Sequence, residues 1–125
     1  MNKIPEEVLK AWNEKQKAVV FSTVSDQNIP NSIYVTCISL FENSKILIAN
    51  NYFDKTYKNI ISGSKGTILF ITQSDKSYQI KGSLKHETKG KAFDDMKKWN
   101  PAHLPGHGVA ILEVEEIFSG ALKII

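Results

Sequence analysis

Lys55 and Thr56 follow a short apolar run and open a stretch with helical spacing. That placement gathers an ammonium, a hydroxyl and the unpartnered amides of a helix start at one point. A phosphate suits the combination, since the ammonium meets its charge while Thr56 Oγ1 and the amides meet its oxygens. Each charge-assisted contact of this kind contributes roughly 1.5–3 kcal/mol. The same dipeptide is also common as a solvated first turn, so the surrounding elements must decide between the two.

Other candidates are fewer. In the run Asn31 to Cys37, strand alternation puts Ser32, Tyr34 and Thr36 on one face and Asn31, Ile33, Val35 and Cys37 on the other. A polar strand face is ordinarily just wet; between two apolar strands it could line a pocket for a polar heterocycle. His103 and His107 lie four apart, but Leu104-Pro105-Gly106 denies them a helical pairing. Only His86 and Cys37 remain as further strong ligands, so no metal site is expected. Either loop histidine could touch a ligand. Cys37 has no histidine near it in sequence and reads as a buried structural thiol. Gly63-Ser64-Lys65-Gly66 and Gly106-His107-Gly108 fit neither a dinucleotide fingerprint nor a P-loop. Paired carboxylates and a Ser/His/Asp set are not evident, and no catalytic residue is assigned. Trp99 suits a core or interface position, or stacking on a flat ring.

The elements that must position these residues follow from local pattern. Residues 5–16 read as an amphipathic helix, with Pro5 at its first position and Glu6 and Glu7 at the positive end of its dipole. Strands are expected over 18–24, 29–41, 45–49, 66–72, 77–85, 109–115 and 117–125, the last bent near Ser119-Gly120. Asn28 is suited to a left-handed turn position. Asp54 is the expected N-cap of a helix running to about Ser62, ended by Gly63. A third helix covers 90–99, and 100–108 is a loop. Hairpin-length connections make the sheet mostly antiparallel, and a closed or split barrel fits better than a doubly wound sheet.

The chain has 125 residues, 42% hydrophobic and 23% charged, enough for one domain with a real core. No apolar run approaches the ~18 residues of a membrane span. The stretch Met1 to Glu7 lacks the apolar centre of a secretory signal. A single cysteine allows no internal disulfide, and a cytoplasmic location is the expectation. The net charge is +3 and all 16 cations are lysine, scattered except for Lys97-Lys98. Without arginine, sequence-specific DNA binding is disfavoured, and neither nucleic acid nor membrane is an expected partner. A mild positive field suits a small anion.

With these pieces in order, the chain resembles the pyridoxamine 5′-phosphate oxidase-like FMN-binding split-barrel family, particularly its small single-domain members. The matching runs are Ala18 to Val24, Asp26 to Pro30, Asn31 to Cys37, Ile46 to Asn50, Lys55-Thr56-x-x-Asn59, Tyr78 to Ser83 and Val109 to Phe118. The resemblance implies a single FMN-binding domain over 1–125. Its fold would be mainly β with short helices, a six-stranded antiparallel split β-barrel. It would form a homodimer with FMN at the subunit interface. By resemblance the phosphate falls to Lys55, Thr56 and Ser32, with Asn31 and Asn59 beside them. Ile33, Tyr34, Val35, Thr36, Ala49 and Asn50 would line the isoalloxazine, largely through backbone groups. Gln79 would approach the flavin from its strand, and Trp99 would reach the site from the partner subunit. Many members place arginine near the phosphate; here lysine serves alone. The chain is also too short for the terminal substrate-binding segments of the full-length oxidase, so vitamin B6 oxidation is not transferred to it.

The expected function is an FMN-dependent oxidoreductase acting on a small molecule, the flavin doing the redox chemistry. The alternatives are a non-enzymatic electron carrier or stress-related flavin binder, the same cleft holding a deazaflavin or haem, and a pure interaction module.

Overall fold

In the computed structural model, which describes residues 3–125, the run expected as one strand over 29–41 serves two edges of one sheet. Its first half, β2 (Pro30–Val35), pairs antiparallel with β1 (Val19–Val24). Its second half, β3 (Ile38–Phe41), pairs antiparallel with β4 (Lys45–Asn50). The strand order is β2-β1-β5-β6-β7-β4-β3, with β5 at Lys65–Ile71, β6 at Ser77–Glu87 and β7 at Gly108–Ser119. The two ends of that order are therefore joined through only Thr36 and Cys37, and the sheet must curl until its edges approach. The result is a curled antiparallel half-barrel, the expected split barrel, with six strands when β2 and β3 are taken as one bent strand. A two-residue β8 (Leu122–Lys123) adds a short flap to β7. Met1 and Asn2, at the head of the stretch read above as lacking a signal, lie outside the described residues.

Alternation fills the barrel. Val19, Phe21 and Thr23 of β1, Ile68 and Phe70 of β5, and Tyr78 and Ile80 of β6 all point inward and are buried. Each large apolar side chain so buried contributes about 1.5–3 kcal/mol. β4 and the first half of β7 are buried on both faces, which explains their unbroken apolar runs. Their second face is covered by α3 (Lys91–Trp99), through Ala92 and Met96 packed on Leu47, Ala49, Val109 and Ile111. α1 (Glu6–Asn13) puts Val8, Ala11 and Trp12 against the main core, with Trp12 edge-on to Phe70 at 5.3 Å. It stops short of residue 16 because Glu14 and Gln16 bond to Gln73 and Ile71 at the end of β5.

Three local expectations change. Residues 109–119 form one strand rather than two, because a bulge at Glu115 absorbs the change of phase: Lys81 pairs Glu116 and Gly82 pairs Val114. Asp54 stands before α2 (Lys55–Ile61) but makes no capping bond; its carboxylate lies 3.4 Å from Lys58 Nζ instead. β2 is not flanked by strands on both sides, since only β1 pairs with it, and its Ser32–Tyr34–Thr36 face is exposed. Asn28 does adopt the left-handed conformation, with φ 63°, and Gly63 follows α2 at φ 96°.

Candidate functional site

The bend between β2 and β3 opens a cleft. Consecutive residues Ile33 to Cys37 form one side of it, and Ala49, Asn51, Tyr52, Phe53 and Leu104 complete a space of about 400 Å³. That volume lies in the usual range for small-molecule sites. Ile33, Val35 and Phe53 pack against the main core and give it apolar walls. Tyr34 and Tyr52, 78% and 76% exposed, stand at its mouth. A second space of about 450 Å³ adjoins it through Thr36, Cys37 and Leu104, and is walled by Lys17, Ile38, Ser39, Trp99, Pro101 and His103. Cys37 is thus a half-exposed cleft residue, not the buried structural thiol expected from sequence.

Of the residues expected around a planar ring, Ile33, Tyr34, Val35, Thr36 and Ala49 all line the first cleft. Asn50 does not. Its Oδ1 accepts the Phe53 amide at 3.1 Å and its Nδ2 lies 3.0 Å from His86 Nε2. It holds the Asn51–Phe53 segment in place instead of facing a ligand. Asn51 is clasped from the other side, in reciprocal amide bonds of 3.0 and 2.9 Å with Asn100 and a 2.9 Å bond from the Gly106 amide.

The expected phosphate residues divide in the same way. Asn31 Nδ2 donates to Thr56 Oγ1 at 3.2 Å, so the structure brings those two together at the first turn of α2. Thr56 is itself buried, at 2% exposure. Lys55, one residue earlier, is exposed. Ser32 lies on the outer strand face with its hydroxyl 2.8 Å from that of Ser22. Asn59 is buried and donates to Thr23 Oγ1 at 2.9 Å, a tie between α2 and β1.

Two residues lie farther off. Gln79 is on the outer face of β6, cross-strand from Leu69 and Phe118. Three inter-strand steps separate it from Tyr34, about 14 Å, so within one chain it does not reach the cleft. Trp99 lines the second space of its own chain, its Nε1 donating to Asp95 Oδ2 at 3.1 Å. Among the described residues every buried polar side-chain atom has a partner, so a ligand must be met by the half-exposed groups and the backbone. No group of three or more His, Cys, Asp and Glu converges among them.

Comparison with known proteins adds the lineage. The profile of the family described as pyridoxamine 5′-phosphate oxidase matches residues 5–119. The chain belongs to that family. An uncharacterized protein of Methanocaldococcus jannaschii is 27% identical over 122 residues, covering 94% of this chain and 80% of its own. The crystal structure of HupZ from Group A Streptococcus superposes with a TM-score of 0.80 at 24% identity, over 93% of both chains. An FMN-binding protein from Syntrophomonas wolfei superposes with a TM-score of 0.76 at 22% identity, over 90% of this chain and 83% of that one. These likenesses establish the split-barrel fold.

Family membership leaves the cleft's details to the chain itself. Phe53, Asn51 and Leu104 line it without having been singled out from sequence. The only signals were aromatic residues in a polar loop after β4 and a lone leucine in a Pro/Gly-rich loop. His86 was weighed from sequence only as a metal ligand, and burial holds its pKa below the usual imidazole value.

Proposed function

We propose that this protein binds FMN and works as an FMN-dependent oxidoreductase on a small molecule, in the cytoplasm. The observation that carries the reading is a cleft with apolar walls, formed by Ile33 to Cys37 and Phe53, with α2 opening two residues after Phe53 at Lys55 and Thr56. Ile33, Val35 and Phe53 suit the apolar part of an isoalloxazine, while the backbone of Ile33–Thr36 and Ala49 suits its polar edge. Lys55 would meet the phosphate charge, with the Asn31 amide and the Ser32 hydroxyl as further donors. Thr56 acts by fixing the Asn31 amide rather than by offering much surface of its own. When bound, the flavin supplies the electron-transfer chemistry. The chain then has to bind and orient it and keep water from one face. The second space, opening from the first at Thr36 and Cys37, gives a reaction partner a way in. An isolated electron carrier would have no need of it.

The cleft opens to solvent beside Tyr34 and Tyr52, and a second copy of the chain is the proposed cover. Tyr34 (78%), Leu69 (44%) and Ile71 (41%) leave apolar side chains on the outer sheet face for such a copy to cover. Such a copy is also the one way to bring Gln79 near a flavin. Sedimentation is expected to give a dimer; a monomer that holds FMN tightly would overturn this arrangement.

The primary test is the visible spectrum of the purified protein after incubation with FMN. A protein that stays colourless fails the reading. Lys55→Ala is expected to weaken FMN binding by about tenfold or more, the loss of one charge-assisted contact. Unchanged affinity by fluorescence titration would remove Lys55 from the site.

A further inference from the structure

One titratable side chain touches the cleft's framework without belonging to the proposed ligand set. Asn50 ends β4, and the three residues after it, Asn51 to Phe53, form a wall of the cleft. The Phe53 amide donates to Asn50 Oδ1, which fixes the orientation of that carboxamide. Its Nδ2, a donor only, therefore faces His86 Nε2 at 3.0 Å. Two donors repel, so Nε2 must be bare and the ring proton must sit on Nδ1. Two further neighbours set the ring's position. Tyr57 of α2 meets it edge-on at 4.9 Å between centroids. On β7, Gly108 leaves it room: a Cβ there would stand 2.3 Å from His86 Cε1 and 2.7 Å from Nε2.

We infer that His86 is a positioning residue for the cleft, holding the Asn51–Phe53 wall through Asn50 only while its imidazole is neutral. The inference rests on the flavin reading for its functional consequence, but not for the structural step. The groups facing the ring are the Asn50 amide from β4, the Tyr57 ring from α2, and Gly108 and the cross-strand Ala110 from β7. Lys85 and Glu87, the charged neighbours on its own strand, point to the other face and pair with each other at 3.7 Å. Apart from the π-system of Tyr57, none of these groups would favour a charged ring, and burial disfavours it.

Protonation turns Nε2 into a donor. Either the ring leaves Asn50, or Asn50 turns over and drops the Phe53 amide. The direction with pH follows. An unfolded imidazole takes its proton near 6.5 and the folded one at lower pH, so the unfolded chain binds more protons in that window. The contact's contribution is complete above 6.5 and declines as the pH falls below it. Flavin affinity should decline in the same range, beyond the loss that the phosphate itself suffers as it protonates near pH 6.

Two measurements on the full chain test this, with His86→Gln as the non-titrating control, since a glutamine oxygen can accept from Asn50 at any pH. In flavin-free protein, the hydrogen-exchange protection of the Phe53 amide is expected to fall by about threefold or more between pH 7.5 and pH 5, and to hold in His86→Gln. In FMN titrations the wild-type Kd should rise about fivefold more than that of His86→Gln over the same range. Constant Phe53 protection in the wild type, or a parallel fall in the variant, overturns the inference. If His86→Gln does not fold, the wild-type ¹⁵N spectrum decides: a proton on Nδ1 at neutral pH supports the contact, and one on Nε2 overturns it. Loss of Phe53 protection on acidification in a chain that takes up no FMN would sink the flavin reading and leave the positioning role standing.

Discussion

Gly82→Ala is expected to be among the most damaging single substitutions in this chain, lowering the free energy of unfolding by about 3 kcal/mol or more. A Cβ at Gly82 would stand 1.9 Å from the carbonyl oxygen of Glu113 and 2.8 Å from its carbon. Those atoms belong to the neighbouring strand's backbone, so no rotamer change relieves the clash. Gly82 also sits where β6 and β7 change register, and the ladder on either side locks the offset. Gly66 provides the control. A Cβ there meets Leu84 Cδ1 at 2.6 Å, the far end of a flexible side chain that can swing away. Gly66→Ala should therefore cost clearly less, about 1–2 kcal/mol. Urea denaturation of both variants checks the order. If Gly66→Ala proved the worse of the two, the β6–β7 contact would not be as tight as its geometry states.

The same glycine shows where the sequence could and could not be read. Strand-forming composition announced β1 and β5, but which of their side chains go inside was decided by the fold, where one face of each strand meets the core and the other does not. Nothing in the local pattern announced the bulge at Glu115, since a bulge is a relation between two strands. The break at Thr36–Cys37 was hidden for a similar reason: it reflects the transfer of pairing from β1 to β4, which no residue in the run encodes. The cleft was legible in part: Ile33 to Thr36 and Ala49, expected around a planar ring from the family resemblance, all line it, because consecutive residues at the β2–β3 bend share one wall. The buried amides were harder. An asparagine that meets a ligand and one that ties two elements together have the same chemistry, and only the fold shows that Asn31 is bonded to Thr56 at the first turn of α2 while Asn50 and Asn59 are spent on His86 and Thr23. Gln79 stands apart again, on the outer face of β6 and three strands from Tyr34.

Asn51 and Asn100 carry the other large effect. Their carboxamides bond to each other reciprocally, and Asn51 Oδ1 also accepts the Gly106 amide, all in a buried setting. These bonds fasten the cleft wall after β4 to the end of α3 and to the loop that carries Leu104. Asn100→Ala strands two polar groups of Asn51 in part, and a buried donor or acceptor left without a partner costs about 1–3 kcal/mol. A loss of roughly 2 kcal/mol is expected. Asn51→Ala should be worse, because it strands the Gly106 amide as well as Asn100. The double variant should cost less than the sum, since once one partner is gone the other has little left to lose. Flavin affinity should fall in both single variants, because Leu104 and the Asn51–Phe53 wall would no longer hold their spacing. Strict additivity of the two substitutions in urea melts would mean that the reciprocal pair does not act as a unit. Wild-type flavin affinity in Asn100→Ala would mean that the loop keeps its place without the clasp.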